Sequence, residues 1–456
     1  HKMLGFCFKS LGQNGPALHY LLASLKITNA QAELHNIVAN LYKSAEQLDL
    51  AVNHYLQAIH FDKRSINYLN NLAFVYLRQN KYSAAKGYFS QSIAINSSQV
   101  NAIIGLANVC SKNEEDKQAI ELLLNASNNY PNNYIVINNL ALCYKKIHNI
   151  KQALYYFNKA NTLKPNQPSL QESLAFLYFE NGKQEQGLAI LKDALKINLY
   201  HLGLNSSLAK LLWESGEKDF LKHYQLLSLD AMPLNLALDY FYKLIISKQS
   251  TLAVGILAKL DKKYGETIAL SIAHANLFYE QGKFEQAYIQ LQQTSKSREL
   301  TNEELDWYGR HSLALGCFKE AVGIYRKLVE LTPRNQGYWC LLSTALRQVD
   351  FEQYKALCCY EDLVFIIDLD APDGYSTIEE FNQALMKELS SVHVTQQHPL
   401  EQSLIGGTQT LGRIFNYENE IFNLAQTAFR ETINTALAKI EQHEEHPTKR
   451  HANADF

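Results

Sequence analysis

INYLNNLAFVYLRQNKYSAAKGYFSQSIAI, residues 66–95, is the stretch on which the reading of this chain turns. Ala73 is followed three residues later by Tyr76, and after a turn come Tyr82, Ala85, Phe89 and Ser92. Small side chains at Ala73 and Ala85 let two antiparallel helices approach closely, and the aromatic rings between them fill the remaining space. The stretch is therefore expected to be a helical hairpin.

Outward from it, the pattern repeats with a step of 34. Gly5, Ala39, Ala73, Ala107, Ala141, Ala175 and Ala209 form one small-residue series; Ala17, Ala51, Ala85, Ala119, Ala153 and Gly187 form a second. Four residues after the second series stand Leu21, Tyr55, Phe89, Leu123, Phe157 and Leu191. A fixed period of this length marks a repeat architecture. One hairpin cannot bury its own apolar face, so neighbours must stack and share a continuous core. Pro131, Pro165 and Pro333 fall at unit ends, where a helix has to stop.

The Ala73, Tyr76, Tyr82, Ala85, Phe89, Ser92 pattern resembles the tetratricopeptide repeat. The resemblance covers residues 1 to about 350 and implies a mainly α fold, a superhelical solenoid. The step from Ala209 to Phe241 is 32, after which Ala253, Ala287 and Ala321 resume the period. The slip coincides with WESGEKDFLKHYQLLSLDAMP, residues 213–233, for which a bend in the array and a binding elbow are both open. Gly5, Phe8, Gly12 and Ala17 already hold repeat positions, so the chain is expected to open partway through a repeat, with its natural N-terminus missing.

Composition excludes several classes. The formal charge of −2, from 43 basic and 45 acidic residues, leaves no electrostatic footprint for a nucleic acid or an anionic membrane. No run of about 18 apolar residues is present, and the chain reads as soluble and cytoplasmic. The seven cysteines, Cys7, Cys110, Cys143, Cys317, Cys340, Cys358 and Cys359, are scattered and never spaced CxxC; they are expected to be reduced and mostly buried.

In this repeat class the first helix of each hairpin lines the concave face, where an extended peptide or a protein partner would lie. Asn36, Asn40, Asn70, Asn71, Asn108, Asn138 and Asn139 all fall on first helices. Asn70 and Asn138 share one repeat position, Asn71 and Asn139 another. A side-chain amide donates and accepts at once, so a column of them can hold a peptide backbone without reading its side chains. A plain solvated face is the alternative. Lys145, Lys146 and the other bases do not make the lysine and asparagine clamp suited to a terminal carboxylate.

Beyond residue 350 the pattern changes. Leu363 to Leu369 is short, β-branched and aromatic, closed by Ala371-Pro372-Asp373-Gly374, and reads as one strand and a turn. Ser376 or Thr377 then caps a helix through about Ser391, the glycine-paired loop HPLEQSLIGGTQT follows at 398–410, and a second helix runs from about Glu418 to Glu441. A small, incomplete α+β segment, 351–456, is expected after the repeats of 1–350.

His398, Pro399 and Gln402, with Gly406, Gly407, Thr408, Gln409 and Thr410 and with His446-Pro447 after the second helix, resemble a family of bacterial tetratricopeptide proteins that carry a C-terminal 2-oxoglutarate and Fe(II)-dependent oxygenase domain. Ile405 stands where that family more often has arginine before the two glycines. The resemblance implies a catalytic double-stranded β-helix further on, with a His-x-Asp pair and a later histidine as iron ligands. This chain ends at HANADF before any such segment, so Fe(II) and 2-oxoglutarate belong to a full-length parent and no cofactor is expected here. Two readings follow: a recognition solenoid joined to the opening of an oxygenase, or a pure interaction scaffold with a non-catalytic cap. No substitute ligand set is evident. His60 and Asp62 end a repeat helix without a third ligand, His443 and His446 lie in a hydrophilic run, and Asp368 and Asp370 lack the Gly and Thr of a phosphatase-type pair. Gly406 and Gly407 are not followed by GK[ST], which leaves a tight turn rather than a phosphate loop.

Overall fold

The computed structural model describes residues 1–113, 115–333, 335–393, 395, 397, 407–410, 414–417 and 419–438. Two compact units divide the chain, His1–Leu177 and Tyr178–Phe456. In the first, antiparallel pairs follow one another: α1 (Lys2–Ser10) with α2 (Asn14–Ile27), α3 (Ala32–Ser44) with α4 (Leu48–Phe61), α5 (Ile66–Arg78) with α6 (Tyr82–Ile95), α7 (Val100–Lys112) with α8 (Asp116–Asn129), and α9 (Tyr134–Lys146) with α10 (Ile150–Leu163). The boundary falls inside α11 (Pro168–Glu180).

The second unit continues with α12 (Gln184–Ile197), α13 (Leu202–Glu214) and the single turn α14 (Lys222–Gln225). Three regular hairpins follow: α15 (Leu234–Ile246) with α16 (Ser250–Tyr264), α17 (Ile268–Glu280) with α18 (Phe284–Ser297), and α19 (Asn302–Ala314) with α20 (Phe318–Leu331). Then come α21 (Gln336–Val349), α22 (Phe351–Cys358), the turn α23 (Tyr360–Leu363), α24 (Ile378–Val392), a 3₁₀ turn η1 (Ile414–Asn416) and α25 (Glu420–Leu437).

The small and large positions of the period are the core. Ala39, Ala73, Ala107, Ala141, Ala175 and Ala209 are fully buried, as are Leu21, Tyr55, Phe89, Leu123, Phe157 and Leu191. Burying each of the latter removes about 1.5–3 kcal/mol of apolar exposure from water. Where the small residue is glycine, space demands it: a Cβ on Gly309 would sit 2.6 Å from Tyr325 Cζ. Helices α8, α10 and α20 stop two residues before Pro131, Pro165 and Pro333.

A second periodicity governs the turn inside each hairpin. Gly12, Glu46, Asn80, His148, Gly182, Gly216, Lys248, Gly282 and Gly316 all adopt φ between +57° and +81°. Their spacing is 34, or twice that across position 114, except from Gly216 to Lys248, where it is 32. The two missing residues are thereby confined to the seventh hairpin.

There the second helix is replaced by turns around the one-turn α14. The segment is nonetheless packed: Phe220, Leu221, Tyr224 and Met232 are buried against Tyr240, Phe241, Leu244 and Leu257. Lys263 Nζ donates to the carbonyls of Asp230 (2.7 Å) and Met232 (3.1 Å), and Tyr264 Oη donates to Met232 O at 3.1 Å, which satisfies backbone groups that a helix would have paired internally.

Two expectations are corrected. Among the described residues there is no strand, so the expected α+β character of the C-terminal segment is absent there: Tyr360–Leu363 is a helical turn and 364–370 is irregular, with Ile366 96% exposed. A β-prone run needs a second strand to pair with, and nothing in the described chain supplies one. The helix expected through about Ser391 is present as Ile378–Val392, capped by Thr377, whose Oγ1 accepts from Glu380 N; the second, expected from about Glu418, begins at Glu420 behind the Asn419 cap. Finally, only Cys110 and Cys143 are buried, while Cys7 and Cys340 are exposed and the others intermediate. Free thiols are small and follow local packing rather than a core rule.

Candidate functional site: the face of the first helices

Within each unit the first helices of successive hairpins touch directly: α5 with α7, α7 with α9, α13 with α15, α15 with α17, and α19 with α21. The outward sides of these helices therefore form shared surfaces, α5 to α9, α13 to α17 and α19 to α21. Side chains three before and one after the small core residue lie four apart, one above the other on that side. Asn36, Asn70 and Asn138 stand at the first of these positions; Asn40 and Asn108 stand at the second.

The structure sorts these amides into engaged and unengaged groups. Asn71 Nδ2 donates to Asn36 Oδ1 at 2.9 Å, joining two repeats. Asn40 Oδ1 accepts from Tyr55 Oη at 2.7 Å, and Asn139 Nδ2 donates to Ile135 O of its own helix at 2.8 Å. Burial of Tyr55 holds its phenol protonated, so that donor is permanent. Asn70 and Asn138 differ: each has a buried Oδ1 with no hydrogen-bond partner. Asn108 is half-buried on α7.

Asn276, not anticipated from the sequence, belongs with them. It follows the small residue Ala275 as Asn40 follows Ala39, is 2% exposed, and has the Tyr242 side chain beside its amide, with no contact to it of good hydrogen-bond geometry. The 32-residue slip displaces it from the simple period and hides it.

The electrostatics of the two units contrast. In the first, Lys43 is half-buried on α3 and its ammonium is held below the usual range by burial and by Arg78; Arg78 itself pairs with Glu46 at 2.5 Å. Lys145 Nζ sits 5.8 Å over the Phe176 ring and Lys146 pairs with Asp116 at 2.8 Å. In the second, the buried Lys243 Nζ donates to Asp239 Oδ1 (2.7 Å) and Ser206 Oγ (2.8 Å), while Tyr224 Oη donates to Asp239 Oδ2. Ser206 occupies the Asn70 repeat position, so this network bridges α13 and α15 where the first unit carries amides.

A pocket of about 570 Å3 in the first unit is lined by His19, Leu22, Lys26, Asn29, His35 and His54. No spacing rule singles these residues out, because the histidines come from three helices. Of the C-terminal family residues, Gly407 to Thr410 are described, and His398, Pro399, Gln402 and Gly406 lie outside the described residues, as do His443 and His446. Thr408 and Thr410 hydroxyls lie 2.7 Å and 2.8 Å from the two ring nitrogens of His393, and Thr395 Oγ1 donates to Gln409 O at 2.7 Å. His60 stacks edge-on against Phe61, and Asp62 accepts from Arg64 N. Among the described residues no three His, Cys, Asp or Glu side chains converge to hold a metal ion. No helix among them is long and apolar enough to cross a membrane.

Residues 65–96 match the tetratricopeptide repeat family. Residues 65–96 carry a tetratricopeptide repeat. Solved structures of tetratricopeptide repeat proteins resemble the chain as well. YrrB, described as having an unusual peptide-binding site, is 20% identical over 40% of this chain and 95% of its own, with a TM-score of 0.31. A tetratricopeptide repeat protein of Parabacteroides merdae is 13% identical over 62% of this chain and 99% of its own, TM-score 0.38. PilF of Pseudomonas aeruginosa is 17% identical over 44% and 92%, TM-score 0.38. No curated protein matches the chain significantly.

Proposed function

We propose that this chain is an interaction scaffold whose first-helix face holds an extended peptide or protein segment by its backbone. The observation that carries the reading is the pair of unpartnered, buried oxygens Asn70 Oδ1 and Asn138 Oδ1 at one repeat position. Leaving a buried amide oxygen unpaired costs about 1–3 kcal/mol, and turning the amide outward to a peptide N–H laid along this face would recover it. Asn36, Asn71 and Asn108 extend the same side of the first unit, while Asn40 and Asn139 orient their neighbours rather than a ligand. The test is to capture a partner on the full chain and measure its affinity for Asn70→Ala combined with Asn138→Ala. Weakening of tenfold or more is expected; unchanged affinity overturns the reading.

For residues 351–456 the proposal is that they open a 2-oxoglutarate and Fe(II)-dependent oxygenase domain, to which the repeats would present substrate. The motif at 398–410 and the break in repeat pattern after α22 support it, and a non-catalytic cap is the rival. The described residues offer no iron site, so no catalytic step is assigned to this chain. Reading the frame past Phe456 separates the two: a His-x-Asp and a later histidine support the oxygenase, and further repeats or a stop codon defeat it.

A further inference from the structure

Tyr417, in the C-terminal segment, reaches the end of the first helix α11. Tyr417 lies 237 residues from Glu180 in sequence, yet its hydroxyl donates to the Glu180 carbonyl at 3.5 Å. Glu180 is the last residue of α11, so its carbonyl is one of those that a helix leaves without an internal partner. It also falls five residues after the core Ala175, on the same side of the helix as the amide positions described above. The Tyr417 side chain is half-buried there, and burial and the Glu180 charge hold its phenol above its usual range.

Tyr417 does not act alone. Its ring meets Phe422 edge-on at 6.1 Å between centroids, and Phe422 and Ala425 of α25 are completely buried. Asn419 caps α25 through Oδ1 and with its Nδ2 donates to Glu388 Oε2 of α24 at 2.8 Å. The 3₁₀ turn, α25 and α24 are thus tied together, with Phe381 of α24 only 3% exposed. Tyr417 carries a contact between these elements and the repeat array.

We infer that residues 414–417 and 419–438 are an intramolecular occupant of the first-helix face of the second unit, docked through Tyr417 on Glu180 at the end of α11. This rests on the reading of that face as the binding surface. A partner reaching the second unit must displace these residues, so apparent affinity is reduced by the fraction of molecules in which they are docked. The network of Ser206, Asp239 and Lys243 takes the place of the amide column in the same unit.

Hydrogen exchange of the full chain tests this without any ligand, so its failure is separate from failure of the amide reading. Wild type is compared with Tyr417→Phe, which removes only the hydroxyl, and with Tyr417→Ala. Docking requires that amides of 420–437 be protected in wild type. Both variants should speed exchange there and in 178–182 several-fold, Tyr417→Ala more than Tyr417→Phe, while α17 to α20 stay unchanged. Exchange in α25 at the unprotected rate in wild type, or acceleration confined to α25 with none at 178–182, overturns the inference.

Discussion

His35 Nδ1 and His54 Nδ1 lie 3.0 Å apart. His35 Nε2 faces two acceptors, Asn29 Oδ1 at 2.9 Å and Asn29 O at 3.0 Å, so Nε2 carries its proton and Nδ1 offers a lone pair. The shared proton therefore sits on His54 Nδ1. Both imidazoles are neutral, and a second proton on His35, which would go to Nδ1, destroys the contact, a tautomer assignment made by the acceptors rather than by the rings themselves.

A pH dependence follows. Burial lowers both histidines, His54 to about 4, with His35 opposing a second charge and Lys26 lining the same pocket. The unfolded chain then binds more protons than the folded one between the ordinary histidine range and pH 4. Stability falls as pH drops through that window and levels off below it. Thermal unfolding of the full chain should show a lower melting temperature at pH 5 than at pH 7.5, and His54→Gln should flatten part of that difference, the rest coming from His223 and His311, which burial also lowers. An unchanged slope in the variant would place the titration elsewhere.

Two asparagines on one face should respond oppositely. Asn40→Ala orphans the buried Tyr55 hydroxyl and is expected to cost about 1–2 kcal/mol in denaturant unfolding. Asn70→Ala removes an oxygen that has no partner, so stability should hold or rise slightly while partner affinity falls. Equal losses in both would make Asn70 a packing residue.

The hairpin turns offer a backbone test. A Cβ on Gly282 would meet nothing within 4 Å, so Gly282→Ala isolates the cost of a left-handed conformation, about 1 kcal/mol. Lys248 holds φ of 61° at the equivalent position, and Lys248→Gly should gain about as much, less its exposed pair with Glu280. Midpoints of chemical denaturation measure both; a destabilised Lys248→Gly would refute the shared geometry.

Gly309 tests close approach instead. Its Cβ would press on Tyr325, which is fully buried and donates to Asp306 at 3.2 Å. Gly309→Ala should cost about 2 kcal/mol, and adding Tyr325→Leu should recover part of it, as expected when overpacking is the cause. Additive losses from the two changes would rule that cause out.

Much of this molecule is local in origin. The 34-residue spacing of alanines, the aromatic positions between them and the prolines that end helices all act within one hairpin or its neighbour, so they are written along the chain in phase with the structure. The 363–369 run shows the limit: β-branched residues state a preference, but a strand exists only when a second one pairs with it, and none does among the described residues. The same holds for the site. Which helices carry asparagine is legible in the period; which amides remain unpaired was decided by Tyr55, Asn71 and Ile135 arriving beside them. Asn276, the His35–His54 contact and the reach of Tyr417 to Glu180 depend on residues brought together across turns, a shifted register or 237 positions of chain, and such distances are settled by packing.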